Sequence, residues 1–344
     1  MSANPNALSP IANPNTQTIR VAAIDIGTVT CRLMIADVTP QGVDVVERHT
    51  EIVNLGEGVD ATGILAPQAM DRAIKTLTRY RSIMDRCGAC HPIDTTVCMA
   101  TSASRDAKNA PEFLDRLAQL GISPDVIPGS KEAELSFRGA SNSFRDQQLL
   151  FADIGGGSTE LVFGMAKGTD LVAQVELARA RSFDIGARRM TERFLQSDPP
   201  TPDQVAQARQ WARETLAPFV GCGISAQRMI AVAGTATSVV AIRDRMEVYD
   251  PQKVHGSFVS RDDLERISQM LLSMTLKQRM EVVGLQPKRA VIIPAGLVIL
   301  QAIVEAADLP GYTASESDIL MGIVLDAVKT RRDAASAGSE VGVC

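Results

Sequence analysis

The chain lacks any apolar run long enough to cross a bilayer, which takes about 20 consecutive residues, and its N-terminus has neither a basic start nor a hydrophobic stretch. No membrane partner and no export leader are expected, and the cytoplasm is the expected location. Strong charge of one sign is missing too: 35 Lys and Arg against 40 Asp and Glu leave a net −5. So mild a field gives duplex nucleic acid no reason to bind, and a polyanionic substrate would have to meet a local basic patch. Six cysteines occur without the spacing of a disulfide framework. With 45% hydrophobic and 22% charged residues over 344 positions, the chain is a globular protein too long for one small domain.

One cysteine cluster needs separate treatment. Cys87-Gly88-Ala89-Cys90-His91 matches the attachment signature of c-type haem and offers three zinc ligands, with Cys98 as a fourth. Haem attachment requires an export route that is not expected here. The segment reads instead as the turn between an amphipathic helix (66–84) and a strand ending at Ala100.

What the chain does contain is Asp153-Ile154-Gly155-Gly156-Gly157-Ser158-Thr159-Glu160, set between two apolar runs as a tight turn joining strands. Glycines without Cβ atoms can take positive φ and bring backbone N–H groups close to a ligand, which makes a concave anion site. Asp153 puts a carboxylate beside that cradle, where Mg²⁺ or its waters commonly sit. The stretch has a twin in Asp25-Ile26-Gly27-Thr28-Val29-Thr30-Cys31-Arg32-Leu33. Each copy is followed by a strand that runs into small and hydroxyl residues at a helix start, Ala100-Thr101-Ser102 in the first half and Ala233-Gly234-Thr235 in the second. Free N–H groups and the helix dipole favour an anion there. Four anion-sized turns, two per half, predict an internal repeat: two similar α/β domains facing each other across a cleft.

The remaining elements follow from spacing and breakers. Residues 1–18, rich in Asn, Pro and Ser, read as a disordered lead, and residues 332–344 as a mobile tail. Strands are predicted over 43–55, 122–127 and 228–234, and helices over 111–120, 185–195, 202–219, 235–242 and 261–274. A further helix is expected over 288–307, with a kink or break at Pro294, and a closing one over 317–328. Ser130 reads as the N-cap of a helix that holds Glu132 in its first turn, where the dipole alone favours an acid. The domains are then 19–137 plus 316–331, and 138–315.

Seven motifs in order resemble those of the exopolyphosphatase and guanosine pentaphosphate phosphatase family, of the actin-like superfamily. They are Ala22 to Gly27, Leu55 to Gly58, Ala100 to Arg105, Gly129 to Leu135, Asp153 to Glu160, Gly234 to Thr237 and Val254-His255-Gly256. The resemblance implies two actin-like (ribonuclease H-like) domains, hydrolysis of phosphoanhydride bonds, and Glu132 as catalytic base. By role, Asp153 and Glu160 would hold Mg²⁺ (or Mn²⁺), helped by Asp25 from the opposite lobe. Backbone N–H groups of Gly27 and of Gly155, Gly156, Gly157 and Ser158 would bind phosphate, with hydroxyls of Thr28, Thr30 and Ser158 and anion sites at Thr101, Gly234 and Thr235. Arg32 would suit a bidentate phosphate contact. Arg105, Arg138, Arg179, Arg181, Arg188 and Arg189 form a candidate track for a polyanion.

Three positions depart from the family pattern. Val29 stands where Asn is usual, Asn54 where Arg usually precedes Leu-Gly-Glu-Gly, and Lys131 where an acid precedes the base. These changes move positive charge about the cleft and bear on substrate preference. The additional C-terminal helical domain of longer members is not expected here. Release of orthophosphate from the ends of inorganic polyphosphate is the expected activity, conversion of guanosine pentaphosphate to tetraphosphate the alternative, and a homodimer the expected assembly. A non-hydrolysing nucleotide switch and a sugar kinase are the readings from other classes.

Overall fold

The computed structural model describes residues 18–223 and 225–340, so the expected lead lies outside the described residues up to residue 17, and the end of the tail lies outside them from 341. The first half runs β1 (Ile19–Ile26), β2 (Thr30–Thr39), β3 (Gly42–Ile52), α1 (Val59–Thr62), α2 (Pro67–Cys90), β4 (Thr95–Ala100), α3 (Ser102–Asp106), α4 (Ala110–Ala118) and β5 (Asp125–Val126). Next come α5 (Gly129–Ser141), β6 (Leu149–Ile154), β7 (Thr159–Lys167), β8 (Gln174–Phe183), α6 (Ala187–Phe194), α7 (Pro202–Val220), β9 (Arg228–Val232) and α8 (Ala233–Arg243). The chain closes with α9 (Pro251–Val254), β10 (Phe258–Ser260), α10 (Arg261–Ser273), α11 (Leu276–Met280), α12 (Ile293–Ala306), β11 (Gly311–Ala314) and α13 (Ile319–Glu340).

The predicted repeat is written in the sheet topology. The first sheet has the order β3-β2-β1-β4-β5 and the second β10-β11-β9-β6-β7-β8. Read outward from β1 and β6, each has two antiparallel hairpin neighbours on one side and two parallel strands on the other. Only β10 breaks the match. This is the expected α/β class, two facing actin-like units.

Two helices fill the space between the sheets. α5 lays Ala133, Phe137 and Ala140 on Phe151, Val162 and Ile230 of the second sheet, with Phe137 and Phe151 in edge contact at 5.9 Å. α13 lays Leu320, Ile323 and Val324 on Val21, Ala23 and Met34 of the first. The two helices cross where neither has a side chain: a Cβ on Gly139 would stand 2.0 Å from the Asp318 carbonyl oxygen, and one on Gly322 1.9 Å from that of Leu135. Each sheet's inner face is thus covered by a helix that follows the other sheet in sequence.

Several element boundaries differ from expectation for physical reasons. α2 runs on through Cys90, so the Cys87–Cys90 segment is the last turn of a helix and not a turn. Among the described residues no group of three or more His, Cys, Asp and Glu is gathered as a metal site, which leaves the zinc alternative without support. α12 begins at Ile293, placing Pro294 in the first helical turn, where its missing N–H has no partner to lose; no kink is needed. Pro128, not Ser130, is the capping residue of α5, and no side chain caps it. The 122–127 strand shrinks to the two residues of β5. α13 passes the expected end at 328 and continues through an Ala- and Arg-rich stretch of high helix propensity to Glu340.

The glycine crossing makes a direct prediction. Gly322→Ala should destabilise the protein by about 3 kcal/mol, the upper range for overpacking a core, read as a lowered urea midpoint at unchanged m-value. An unaltered midpoint would contradict the close approach of α5 and α13.

Candidate active site

The two Asp-bearing turns have the same construction. The Gly27 N–H donates to the Thr30 carbonyl at 2.9 Å in the first, and the Gly155 N–H to the Ser158 carbonyl at 3.0 Å in the second. They also touch. A Cβ on Gly156 would stand 2.4 Å from Val29 Cγ2, and one on Gly157 2.4 Å from Ser102 Oγ. None of Gly155, Gly156 and Gly157 has positive φ; Gly156 and Gly157 allow close approach of the facing lobe, and Gly155 stands against the Ser158 carbonyl of its own turn. Here the structure corrects the conformational reason expected from sequence.

Around this contact opens one cavity of about 780 Å³ lined by all four predicted turns. Asp25, Gly27, Thr28, Thr30 and Arg32 face it from the first hairpin, and Thr101 from the start of α3. Asp153, Gly155, Gly156, Gly157, Ser158 and Glu160 line it from the second hairpin, Gly234 and Thr235 from the start of α8, and Glu132 from α5.

Burial dominates the electrostatics. Glu132 is 9% exposed, and its carboxyl is pushed up to about 8 by burial, against the pull of Arg105 and with a push from Asp25 and Asp153. Arg105 Nη1 reaches Glu132 Oε2 at 3.2 Å and the Ile127 carbonyl at 3.0 Å, so the helix after the Thr101 turn supplies the partner of the acid on α5. Burial raises Asp153 to about 6, opposed by Arg32 and by a 3.1 Å bond from Ser136 Oγ. Glu160 is raised well above its usual range, first by burial and then by Glu132 and Asp153, although Ser182 Oγ donates to it at 2.6 Å.

The paired strands give a revealing comparison. Asp25 stands opposite Arg32 in the β1–β2 register, and Asp153 opposite Glu160 at the equivalent place in β6–β7. Arg32 donates from Nε and Nη2 to Asp25 Oδ2 at 2.9 and 2.7 Å, and from Nη1 to Asp318 at 2.5 Å. The second lobe has a carboxylate where the first has that arginine. Two buried oxygen-donor side chains with uncompensated charge suit a hard divalent cation completing its shell with water and phosphate oxygens. Asp25, expected to assist, is instead engaged by Arg32, and among the described residues no third acid joins Asp153 and Glu160 as a ligand set.

The expected arginine track does not assemble, because none of its six members lines the cavity. Arg179 and Arg181 lie over the Phe219 and Phe183 rings at 4.8 and 4.7 Å. Arg138 pairs with Glu134 at 3.0 Å, and Arg189 with Asp60 and Asp106, both at 2.5 Å. Arg188 donates to Asn54 Oδ1 at 2.7 Å, bringing a guanidinium to the position where the family pattern has its own. Lys131 points away to Asp326 at 3.3 Å, and Val29 joins a small apolar contact with Ile52, Ala187 and Ile292.

The cations that do face the cavity are Arg32, Arg48 and Arg289, of which sequence reasoning found one. Arg48 donates to the Glu316 carbonyl at 2.7 Å and approaches Asp318 at 3.6 Å. Arg289 lies directly over Gly234, bonds Gln286 at 3.1 Å and has no carboxylate partner among the described residues; burial, with Arg32 nearby, holds its guanidinium below the usual value. Glu316, bonded by the Tyr249 hydroxyl, and Asp318 were missed as well. They sit at scattered sequence positions outside any glycine turn, so no local pattern marks them.

The raised acids predict how stability depends on pH. Glu132 titrates near 8 in the fold against 4.5 when free, and Asp153 near 6 against 3.8, so the folded state binds these protons more tightly. Their contribution is whole at acid pH and is lost as pH rises through those values. In chelator, the melting temperature should fall between about pH 5 and about pH 8.5, and fall less in Glu132→Gln. A melting temperature that rises over this window would contradict the burial of these acids.

Comparison with known proteins agrees with this geometry. The model of the Ppx/GppA phosphatase family matches residues 34–330. Exopolyphosphatase 2 of Mycobacterium tuberculosis is 39% identical over 324 residues, covering 89% of this chain and 98% of its own. A solved structure described as an exopolyphosphatase-like protein superposes with a TM-score of 0.81 at 36% identity, over 91% of this chain and 98% of that one. The Aquifex aeolicus member of the family superposes at 0.75 with 26% identity, over 92% and 99%. With its paired anion turns and a buried acid between them, the chain belongs to the Ppx/GppA phosphatase family.

Proposed function

We propose that the protein is an exopolyphosphatase, releasing orthophosphate from the ends of inorganic polyphosphate. The observation that carries this reading is a buried acid held by an arginine, Glu132 with Arg105, facing a cavity ringed by four anion-sized turns. Its relatives named exopolyphosphatase support the substrate.

Glu132 takes a proton from the attacking water, whose oxygen bonds to the terminal phosphorus while the bridging P–O bond breaks and the shortened chain leaves with that electron pair. Arg105 aids this by lowering the affinity of Glu132 for its proton. N–H groups and hydroxyls of the turns meet charge developing on the transferred phosphoryl oxygens, and Arg289 supplies a cation with no carboxylate in ion-pair contact among the described residues. Asp153 and Glu160 would hold Mg²⁺ or Mn²⁺, which when bound neutralises phosphate charge and lowers the cost of bringing a polyanion beside these acids. A homodimer in the cytoplasm belongs to the same reading, on the family resemblance.

A second reading, hydrolysis of guanosine pentaphosphate, is favoured by one feature. Part of the cavity wall is apolar, with Met246, Tyr249, Pro251, Leu285 and Pro287, which suits a nucleoside base better than further phosphates.

Phosphate release from tripolyphosphate, long-chain polyphosphate and the nucleotide, each with and without Mg²⁺, tests both readings; faster release from the nucleotide would reverse their order. Glu132→Gln should lower kcat by about 10²–10⁴-fold, and retained turnover would remove Glu132 from the mechanism. Arg105→Gln should move the rising limb of the pH–rate profile to higher pH, since the residue that holds Glu132 down is lost. A limb that stays in place would separate the two residues.

A further inference from the structure

Arg32 is the cavity's best-placed arginine and the most heavily neutralised. Asp25 takes its Nε and Nη2, and Asp318 takes Nη1. Two carboxylates answer the one charge of Arg32, which is left with little pull on an anion approaching along the cavity, although Arg48 stands 3.6 Å from Asp318 Oδ2. Asp318 is 5% exposed and fixed in place. Its Oδ1 accepts the Leu320 N–H at 3.0 Å at the start of α13, and its Oδ2 lies 3.6 Å from Arg48. The preceding residues are pinned as well: Ser317 Oγ donates to the Gly139 carbonyl of α5 at 2.8 Å, and the Glu316 N–H donates to His255 Nδ1 at 3.3 Å. The Asp318 carboxylate therefore has no room to swing away when an anion enters.

We propose that Asp318 is an affinity-setting residue: by sharing Arg32 with Asp25, it restrains the grip of the cleft on a phosphate chain. The inference rests on the phosphohydrolase reading and deepens it. Cleavage of a chain end requires the shortened product to leave or move along. A cavity with Arg32 neutralised and Arg289 unpaired attracts a polyanion without holding it at two strong cationic points.

The test replaces the charge and keeps the shape. Asp318→Asn retains an oxygen for the Leu320 N–H, and Asp318→Glu retains the carboxylate. Calorimetric titration with inorganic tripolyphosphate should give Asp318→Asn a Kd about fivefold lower than the parent, with a steeper salt dependence. Its KM should fall in step while kcat changes less, and Asp318→Glu should show no tightening. Unchanged or weaker binding by an Asp318→Asn protein that melts like the parent overturns the inference and leaves the phosphohydrolase reading standing. Should that variant lose its melting transition, Asp318→Ser, which also offers an acceptor for the Leu320 N–H, takes the same test with the same two outcomes. Tripolyphosphate that binds neither parent nor variant overturns the phosphohydrolase reading, and this inference with it.

Discussion

The site depends on how buried negative charge is compensated. Asp25, Glu132, Asp153, Glu160 and Asp318 are each 9% exposed or less, and removing so many carboxylates from water is costly unless each finds a partner or keeps its proton. The two lobes solve this differently at one register position. In the first, Arg32 answers Asp25; in the second, Glu160 answers Asp153 and the deficit is left open. A repeated hairpin thus carries an ion pair in one half and two facing carboxyls in the other. The difference in chemistry between the lobes follows from that contrast.

Glu132 lies between these halves, and its helix is held from both sides. α5 packs on the second sheet and crosses α13, which packs on the first, at two glycines. Arg105 and Asp25 act on the acid from the first lobe, the one lowering and the other raising its proton affinity, while Asp153 raises it from the second. The proton affinity of one side chain thus reports how the two lobes are placed.

The repeat was legible because each copy carries its own local signature, an apolar strand, an aspartate, a glycine turn and hydroxyl residues. The same grammar predicted two similar α/β halves, and all four of its anion-sized turns line one cavity. Contacts made across the fold were not legible. The glycine triplet was correctly singled out but for a conformational reason, because nothing local says that Val29 and Ser102 will stand 2.4 Å from its missing side chains. The arginines illustrate the same limit. Those near motifs were tied up by Asp60, Asp106, Glu134 and aromatic rings, whereas Arg48 and Arg289 reach the cavity from a strand and a short 3-10 turn with no motif of their own. Pro294 misled because a proline near a helix start and one inside a helix read alike until the boundary is known.

The exchange of covering helices bears on how the chain can be made. α13, which shields Val21, Ala23 and Met34, begins only at Ile319 of a 344-residue chain. During synthesis the inner surface of the opening sheet must wait, bare and apolar, until the second sheet and then α13 have been made, and a nascent chain in that condition is open to aggregation or to chaperones. The opening half cannot be finished before the closing half exists.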